Sequence, residues 1–339
     1  MSRPDVLTFG ETTIALRGGG PLRPGGTLGV SVAGAESNVA IGLARLGHTV
    51  RWAGAVGADE AGELVLRTLR AEGVDVSGAS ADEGGAPTGL TLTEPELPEP
   101  PGLPGLPEPT RVPGLPEPTR VHHHRAGTAG SRLRACSVER AFTAAPPRVL
   151  HLTGITPALS RSARSAAALA LRLAAEHSAL VCLDVSFRSR LWSAQEASAV
   201  LREWAPSVDV LIASVDELPL CLPPDGPDDP GVRAKELLSL GIGEVVVTLG
   251  AAGATAYAED GSSLHAPARA VRAVDPAGAG DAFAAGYLSA LLDGCDTAGR
   301  LERAVTTGAF AVAARGDWEG APTRAELGLL SAAAGTVLH

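Results

Sequence analysis

The chain's strongest constraint is a rhythm. Short segments that are apolar at nearly every position recur along it: "DVLTFG" from Asp5, "RVLHLTG" from Arg148, "ALVCLDVS" from Ala179, "VDVLIAS" from Val208 and "EVVVTLG" from Glu244. Between them lie stretches with helical spacing, such as "AESNVAIGLARLG", closed by Gly47, "DEAGELVLRTLRAEG" after the strand "TVRWAGAVG", "RSARSAAALALRLAAEH" and "GVRAKELLSLG". A strand that is apolar on both faces needs cover on both, as in a parallel sheet flanked by helices. Repeated β-α-β units of this kind predict an α/β fold: a three-layer, doubly wound sheet. The 339 residues suffice for one such domain spanning 1–339.

Composition narrows the function. A net charge of −10 argues against nucleic acid or an anionic membrane surface as a partner. Lys235, the chain's one lysine, follows no glycine-rich loop, so no Walker A motif exists. Cys136, Cys182, Cys221 and Cys295 are too scattered for a zinc ribbon or a disulfide framework. With no signal core at "MSRPDVLTFGE" and no long apolar run, the sequence reads as cytoplasmic and membrane-free.

Two regions break the rhythm, residues 11–32 and 87–125, both β-like and set apart from the main sheet. The nonapeptide "PGLPEPTRV" at Pro104–Val112 recurs at Pro113–Val121, inside a proline-rich stretch over 94–119. Such a sequence cannot build a core and reads as an extended, mobile insert.

The chemistry concentrates in "VDPAGAGDAFAAGYLSALL", Val274–Leu292. Gly278, Ala279 and Gly280 strip away side-chain bulk where a helix begins, which favours anion binding by exposed amides and the helix dipole. A kinase acting on an alcohol needs such donors for the travelling phosphoryl group, a base for the hydroxyl proton, and a divalent metal. Asp281 could be that base. The alternative is that it only caps the helix.

The motif "DPAGAGDAFAAG" resembles the C-terminal signature of the ribokinase-like carbohydrate kinases. "AGAESNVAIGLARLG" followed by "AGAVGADEAGELV" resembles their N-terminal glycine-rich signature. Within that family, "GAESN", "HHHRAGTAGSRL", "LHLTGITPALS", "LDVSFRSRLWS" and "RGDWEGAPTRAEL" are most similar to 2-keto-3-deoxygluconate kinases. The resemblance implies a ribokinase-like fold with a small β-lid built from 11–32 and 87–125, the 94–119 insert lying within the lid hairpin. It implies ATP and Mg2+ as cofactors, and transfer of the γ-phosphate to the terminal hydroxyl of a small sugar acid, 2-keto-3-deoxygluconate first. A neutral sugar such as fructose is the alternative acceptor, and a non-catalytic sugar- or nucleotide-binding protein the alternative from another class.

Residue by residue, the resemblance implies Asp281 as catalytic base and Gly278, Ala279 and Gly280 as anion hole. Gly34, Asn38, His124, Arg125 and Arg188 would bind substrate. Ser186, Ser214, Thr248, Gly250 and Gly253 would bind ATP, and Glu217 metal. Two guanidinium forks suit a carboxylate, hence an acid over a neutral sugar. A homo-oligomer paired through the lid is implied as well. The sequence departs from the family pattern at Ser186 and Ser214, where asparagines are usual, and at His123 and His124, where tyrosines are. His122–His124 cannot converge on one metal ion from a strand, since neighbours face opposite sides. The "RGD" at Arg315–Asp317 is not read as an adhesion motif.

Overall fold

The computed structural model describes residues 3–19, 22, 25–95, 119–223, 226 and 228–331. Its strands are β1 (Val6–Phe9), β2 (Thr13–Gly18), β3 (Leu28–Ala33), β4 (Val50–Ala53), β5 (Ala55–Gly57), β6 (Ser80–Asp82), β7 (Leu90–Pro95), β8 (Thr119–His124), β9 (Val149–Thr153), β10 (Leu180–Asp184), β11 (Val210–Ser214), β12 (Glu244–Thr248), β13 (Ala254–Ala258) and β14 (Ser263–Ala266). The helices are α1 (Ala35–Arg45), α2 (Glu60–Ala71), α3 (Ala135–Ala144), α4 (Ile155–Leu159), α5 (Arg161–Glu176), α6 (Ala194–Trp204), α7 (Pro230–Ser239), α8 (Ala279–Leu292) and α9 (Thr297–Val312). No helix among the described residues is long and apolar enough to cross a membrane.

The main sheet has eight strands in the order β14-β13-β12-β11-β10-β9-β1-β4. Pairing is parallel from β4 to β12, and β13 and β14 add an antiparallel edge. Both faces are covered, as the apolar strands require. One apolar core packs α3, α5, α6 and α7 against one face through residues such as Phe142, Ala167, Leu201 and Leu237. The other packs α1, α8 and α9 through Ile41, Leu43, Tyr287 and Leu301. The result is a doubly wound, three-layer α/β sandwich.

One strand read from the sequence divides. "TVRWAGAVG" yields β4, which pairs with β1, and β5, which pairs with β6. The break falls at Gly54, where a Cβ would lie 2.5 Å from the Gly10 carbonyl oxygen and 2.1 Å from the Trp52 ring. The smaller sheet runs β3-β2-β7-β8, with β2 and β7 parallel and the outer pairs antiparallel. Of the proline-rich stretch, residues 96–118 lie outside the described ones.

Candidate active site

The main sheet changes direction between β1 and β9: β1 leads to β4 on one side, and the chain later continues from β9 to β12 on the other. Ligands of open α/β sheets bind beyond the carboxyl ends of strands at such a switch. A cavity of about 520 Å³ opens there, roofed by the smaller sheet. Its lining includes Glu11, Gly34, Glu36, Asn38, His123, Arg125, Arg188, Gly278 and Asp281.

Local structure explains why backbone amides face this space. Helices α2, α5, α6, α7 and α9 start on Asp or Ser residues whose side chains accept a backbone N–H. Helices α1 and α8 instead start on Gly34 and Gly278, with no side-chain cap, and both glycines line the cavity. Gly278 sits at φ 69°, and a Cβ there would lie 1.7 Å from the Asp317 carbonyl oxygen, so no other residue fits.

Asp281 does not cap α8. Its Oδ2 accepts a hydrogen bond from Asn38 Nδ2 at 2.7 Å, which fixes the carboxyl against α1. Burial pushes its pKa up to about 8, the Asn38 bond pulls it down, and the charge of Asp184 pushes it up further. Asn38 Oδ1 is buried and unpartnered among the described residues, an acceptor suited to an incoming hydroxyl. Of the three amides assigned to the anion hole, that of Ala279 already donates to the Pro276 carbonyl at 3.3 Å. No bond among the described residues engages the amides of Gly278, Gly280 or Asp281, so the cradle shifts toward the carboxylate.

Arg125 and Arg188 share the cavity, but their surroundings differ. Arg125 Nη1 lies 2.8 Å from Glu11 Oε1, and its Nη2 donates to His123 Nδ1 at 2.8 Å. Arg188 donates to the neighbouring Phe187 carbonyl and has no carboxylate ion pair among the described residues. Burial raises Glu11 to about 7, while Arg125 pulls it down and Glu36 pushes it up. Glu36 is fully buried; its Oε1 accepts from Thr153 Oγ1 and Thr156 Oγ1 at 2.6 and 2.7 Å. Gly10 makes room for that carboxylate, because a Cβ would lie 2.1 Å from its Cδ.

One assignment needs correction. His124 does not line the cavity; His123 does. On β8, His123 pairs opposite Thr91 and His124 opposite Leu90, so the two rings lie on opposite faces. His122 meets Glu94 instead, at 3.2 Å. Burial drives the His123 ring down to about 4, with Arg125, Arg188 and Arg190 adding to the effect. Sequence reasoning also missed Glu11, Glu36, Arg17, Asp275 and Asp317, all in the cavity wall. Asp317 belongs to the "RGD" segment, and the usable signal was that segment's place among the stretches most similar to 2-keto-3-deoxygluconate kinases.

The residues assigned to ATP lie outside this cavity, at or beyond the carboxyl ends of β10, β11 and β12. Ser214 and Thr248 are register partners, while Gly250 and Gly253 flank the turn before β13. Glu217 ties Ser214 to the segment that carries Arg188. Its Oε1 accepts from the Phe187 amide at 2.7 Å and its Oε2 from the Ser214 amide at 3.0 Å. Ser186 sits at φ 39°, a left-handed conformation that asparagine adopts more readily than serine. Asp184 accepts the Ser186 amide at 3.2 Å; burial raises it to about 7, and the charge of Glu217 pushes it further up. Among the described residues no three His, Cys, Asp or Glu side chains form a complete metal site.

Residues 3–96 and 132–324 match the family described as pfkB family carbohydrate kinase. The chain belongs to that family. It is 32% identical over 338 residues to the 2-dehydro-3-deoxygluconokinase of Bacillus subtilis (strain 168), covering 98% of this chain and 97% of that one. It is 34% identical over 325 residues to the 2-dehydro-3-deoxygluconokinase of Thermoproteus tenax, covering 95% and 92%. Among solved structures, the PfkB protein from Polaromonas sp. JS666 superposes with a TM-score of 0.79 at 33% identity, covering 96% and 99%. The ribokinase-like fold and the carbohydrate-kinase class expected from the sequence both stand.

Proposed function

We propose that this chain phosphorylates the terminal hydroxyl of a small sugar acid, 2-keto-3-deoxygluconate first, using ATP and Mg2+. The single observation that carries the reading is the corner where Asp281, fixed by Asn38, adjoins the unengaged amides that open α8, with two arginines in the same cavity. Asp281 takes the hydroxyl proton as the oxygen attacks phosphorus, and the amides of Gly278, Gly280 and Asp281 hold the charge of the moving phosphoryl group. The burial that raises the Asp281 pKa makes its ionised form a stronger proton acceptor. Arg188, with no acid partner among the described residues, receives the substrate carboxylate, and Arg125 contributes once Glu11 yields. Gly34, Asn38 and His123 contact the sugar.

The nucleotide extends from α8 past Ser186, Ser214, Thr248, Gly250 and Gly253. When bound, it supplies the phosphoryl group and Mg2+ neutralises the phosphates. Asp184 and Glu217 would hold that cation: the charge of Glu217 disfavours ionisation of the buried Asp184, a repulsion a divalent ion would relieve. The remaining ligands would be water and phosphate, as is usual for Mg2+. The smaller sheet acts as a lid that excludes water, and copies of the chain pair through it.

A neutral sugar is the second reading, favoured by one observation: Glu11 already occupies Arg125. Coupled measurement of ADP release across sugar acids and neutral sugars decides between them. ADP release with 2-keto-3-deoxygluconate exceeding that with fructose supports the first; the reverse order rejects it.

A further inference from the structure

We propose that Arg17 is a positioning residue for the sugar acid, acting through Asp317; this rests on the kinase reading above. Arg17 leaves β2 of the smaller sheet and reaches across to the main body. Its Nη1 donates to Asp275 Oδ2 at 2.9 Å, and its Nη2 donates to Asp317 Oδ2. All three residues line the cavity. One guanidinium fork thus bridges two carboxylates from separate loops, a geometry that a lysine ammonium cannot reproduce.

Those loops frame the phosphate cradle. Asp275 Oδ1 accepts the Ala277 amide at 3.0 Å, just before α8, and its Oδ2 also accepts the Gly316 amide at 3.3 Å. Asp317 presses its carbonyl against Gly278. The two residues after Asp317 continue the docking: Trp318 Nε1 donates to the Val32 carbonyl at 3.1 Å, and Ser31 Oγ donates to Glu319 Oε1 at 2.5 Å. Three consecutive residues therefore seat one loop on β2 and β3, while Arg45 of α1 holds the same loop through the Trp318 and Glu319 carbonyls, at 3.4 and 3.2 Å.

The arrangement spends Oδ2 of Asp317 and leaves Oδ1 with no hydrogen bond among the described residues. Oδ1 is the acceptor for a hydroxyl next to the one that reacts. Holding that neighbour fixes the angle at which the reacting oxygen meets Asp281 and the phosphoryl group. The same guanidinium offsets charge in a corner where Asp275, Asp281 and Asp317 would otherwise repel one another.

The test is steady-state kinetics with 2-keto-3-deoxygluconate and ATP for wild type, Arg17→Leu, Arg17→Lys, Asp317→Asn and the Arg17→Leu/Asp317→Asn double variant. Arg17→Leu is expected to raise the sugar-acid KM roughly 10–100-fold while the ATP KM stays within about two-fold. Arg17→Lys should recover only part of the loss. In the Asp317→Asn background Arg17→Leu should add little, the mark of residues that act as one unit. Additive losses, a parallel rise in ATP KM, or a wild-type sugar KM in Arg17→Leu would overturn the proposal. Should Arg17→Leu fail to fold, a wild-type sugar KM in either Arg17→Lys or Asp317→Asn overturns it equally. A wild-type protein inert toward every sugar acid rejects the substrate reading and this inference with it; an active wild type with an unaffected Arg17→Leu rejects the role of Arg17 alone.

Discussion

The two ends of the candidate site are built differently. At the sugar end, side chains from both sheets converge: Arg17, His123 and Arg125 from the smaller sheet or its edge, Glu11, Glu36, Asn38 and Asp281 from the main body. At the proposed nucleotide end stand strand ends and turns, where one carboxylate, Glu217, pins two backbone amides. Side chains can be exchanged to suit a new acceptor without disturbing the sheet. A nucleotide can be gripped largely by backbone, which any sequence supplies. On the proposed reading, specificity would reside at one end and the common cosubstrate at the other.

The largest expected effect tests the point where the ends meet. Asp281→Asn should lower kcat by roughly 10²–10⁴ while leaving nucleotide binding nearly intact, the usual worth of a general base. Near-wild-type turnover would reduce Asp281 to a partner for Asn38. Next comes Arg188→Ala, expected to raise KM for a sugar acid roughly 10–100-fold and to change a neutral ketohexose far less, because only the acid loses a charge-assisted bond. Equal losses for both would remove the carboxylate clamp from the account.

Glu217→Ala deprives two main-chain amides of a charged acceptor, and hydrogen bonds to charged groups contribute about 1.5–3 kcal/mol each. KM for ATP should rise about ten-fold, with a smaller change for the sugar, since Phe187 adjoins Arg188. A larger change on the sugar side would erase the proposed boundary between the ends.

The smallest effects concern stability. Asp281 carries a folded pKa of about 8 against an ordinary value of 3.8. Between those values the folded protein keeps a proton that the unfolded chain has lost. Its contribution is therefore full below about pH 4 and disappears as pH rises through 8. Thermal melts of Asp281→Asn should match wild type near pH 4 and lie several degrees above it at pH 8, where the wild-type protein must ionise a buried carboxyl that the mutant lacks. Glu11 and Asp184, each raised to about 7, leave part of the wild-type slope in the mutant. A pH-independent difference in melting temperature would contradict this. Restoring asparagine at Ser186, where φ is 39°, should raise the melting temperature slightly, by about a degree or two at constant pH, because asparagine is at ease in the left-handed region. No gain there would mean the neighbouring Asp184 contact, not the backbone, sets the local geometry.

Much of this was readable from the chain. Periodicity determined the parallel strands β1, β9, β10, β11 and β12, because a strand covered on both faces needs apolar residues at every position. The glycines before Asp281 announced a helix start with open amides, while only the structure, by placing the Asp281 carboxyl on Asn38, showed that it does not cap the helix. What sequence could not decide was which side chains meet. His123 rather than His124 enters the cavity, a matter of strand register set by pairing with Thr91. Glu11 faces Arg125, and Arg17 spans Asp275 and Asp317, across separations that no local pattern encodes. Local rules act through the backbone of neighbouring residues, whereas burial and charge act through space, and only the folded chain brings those carboxylates and guanidinium groups into range of one another.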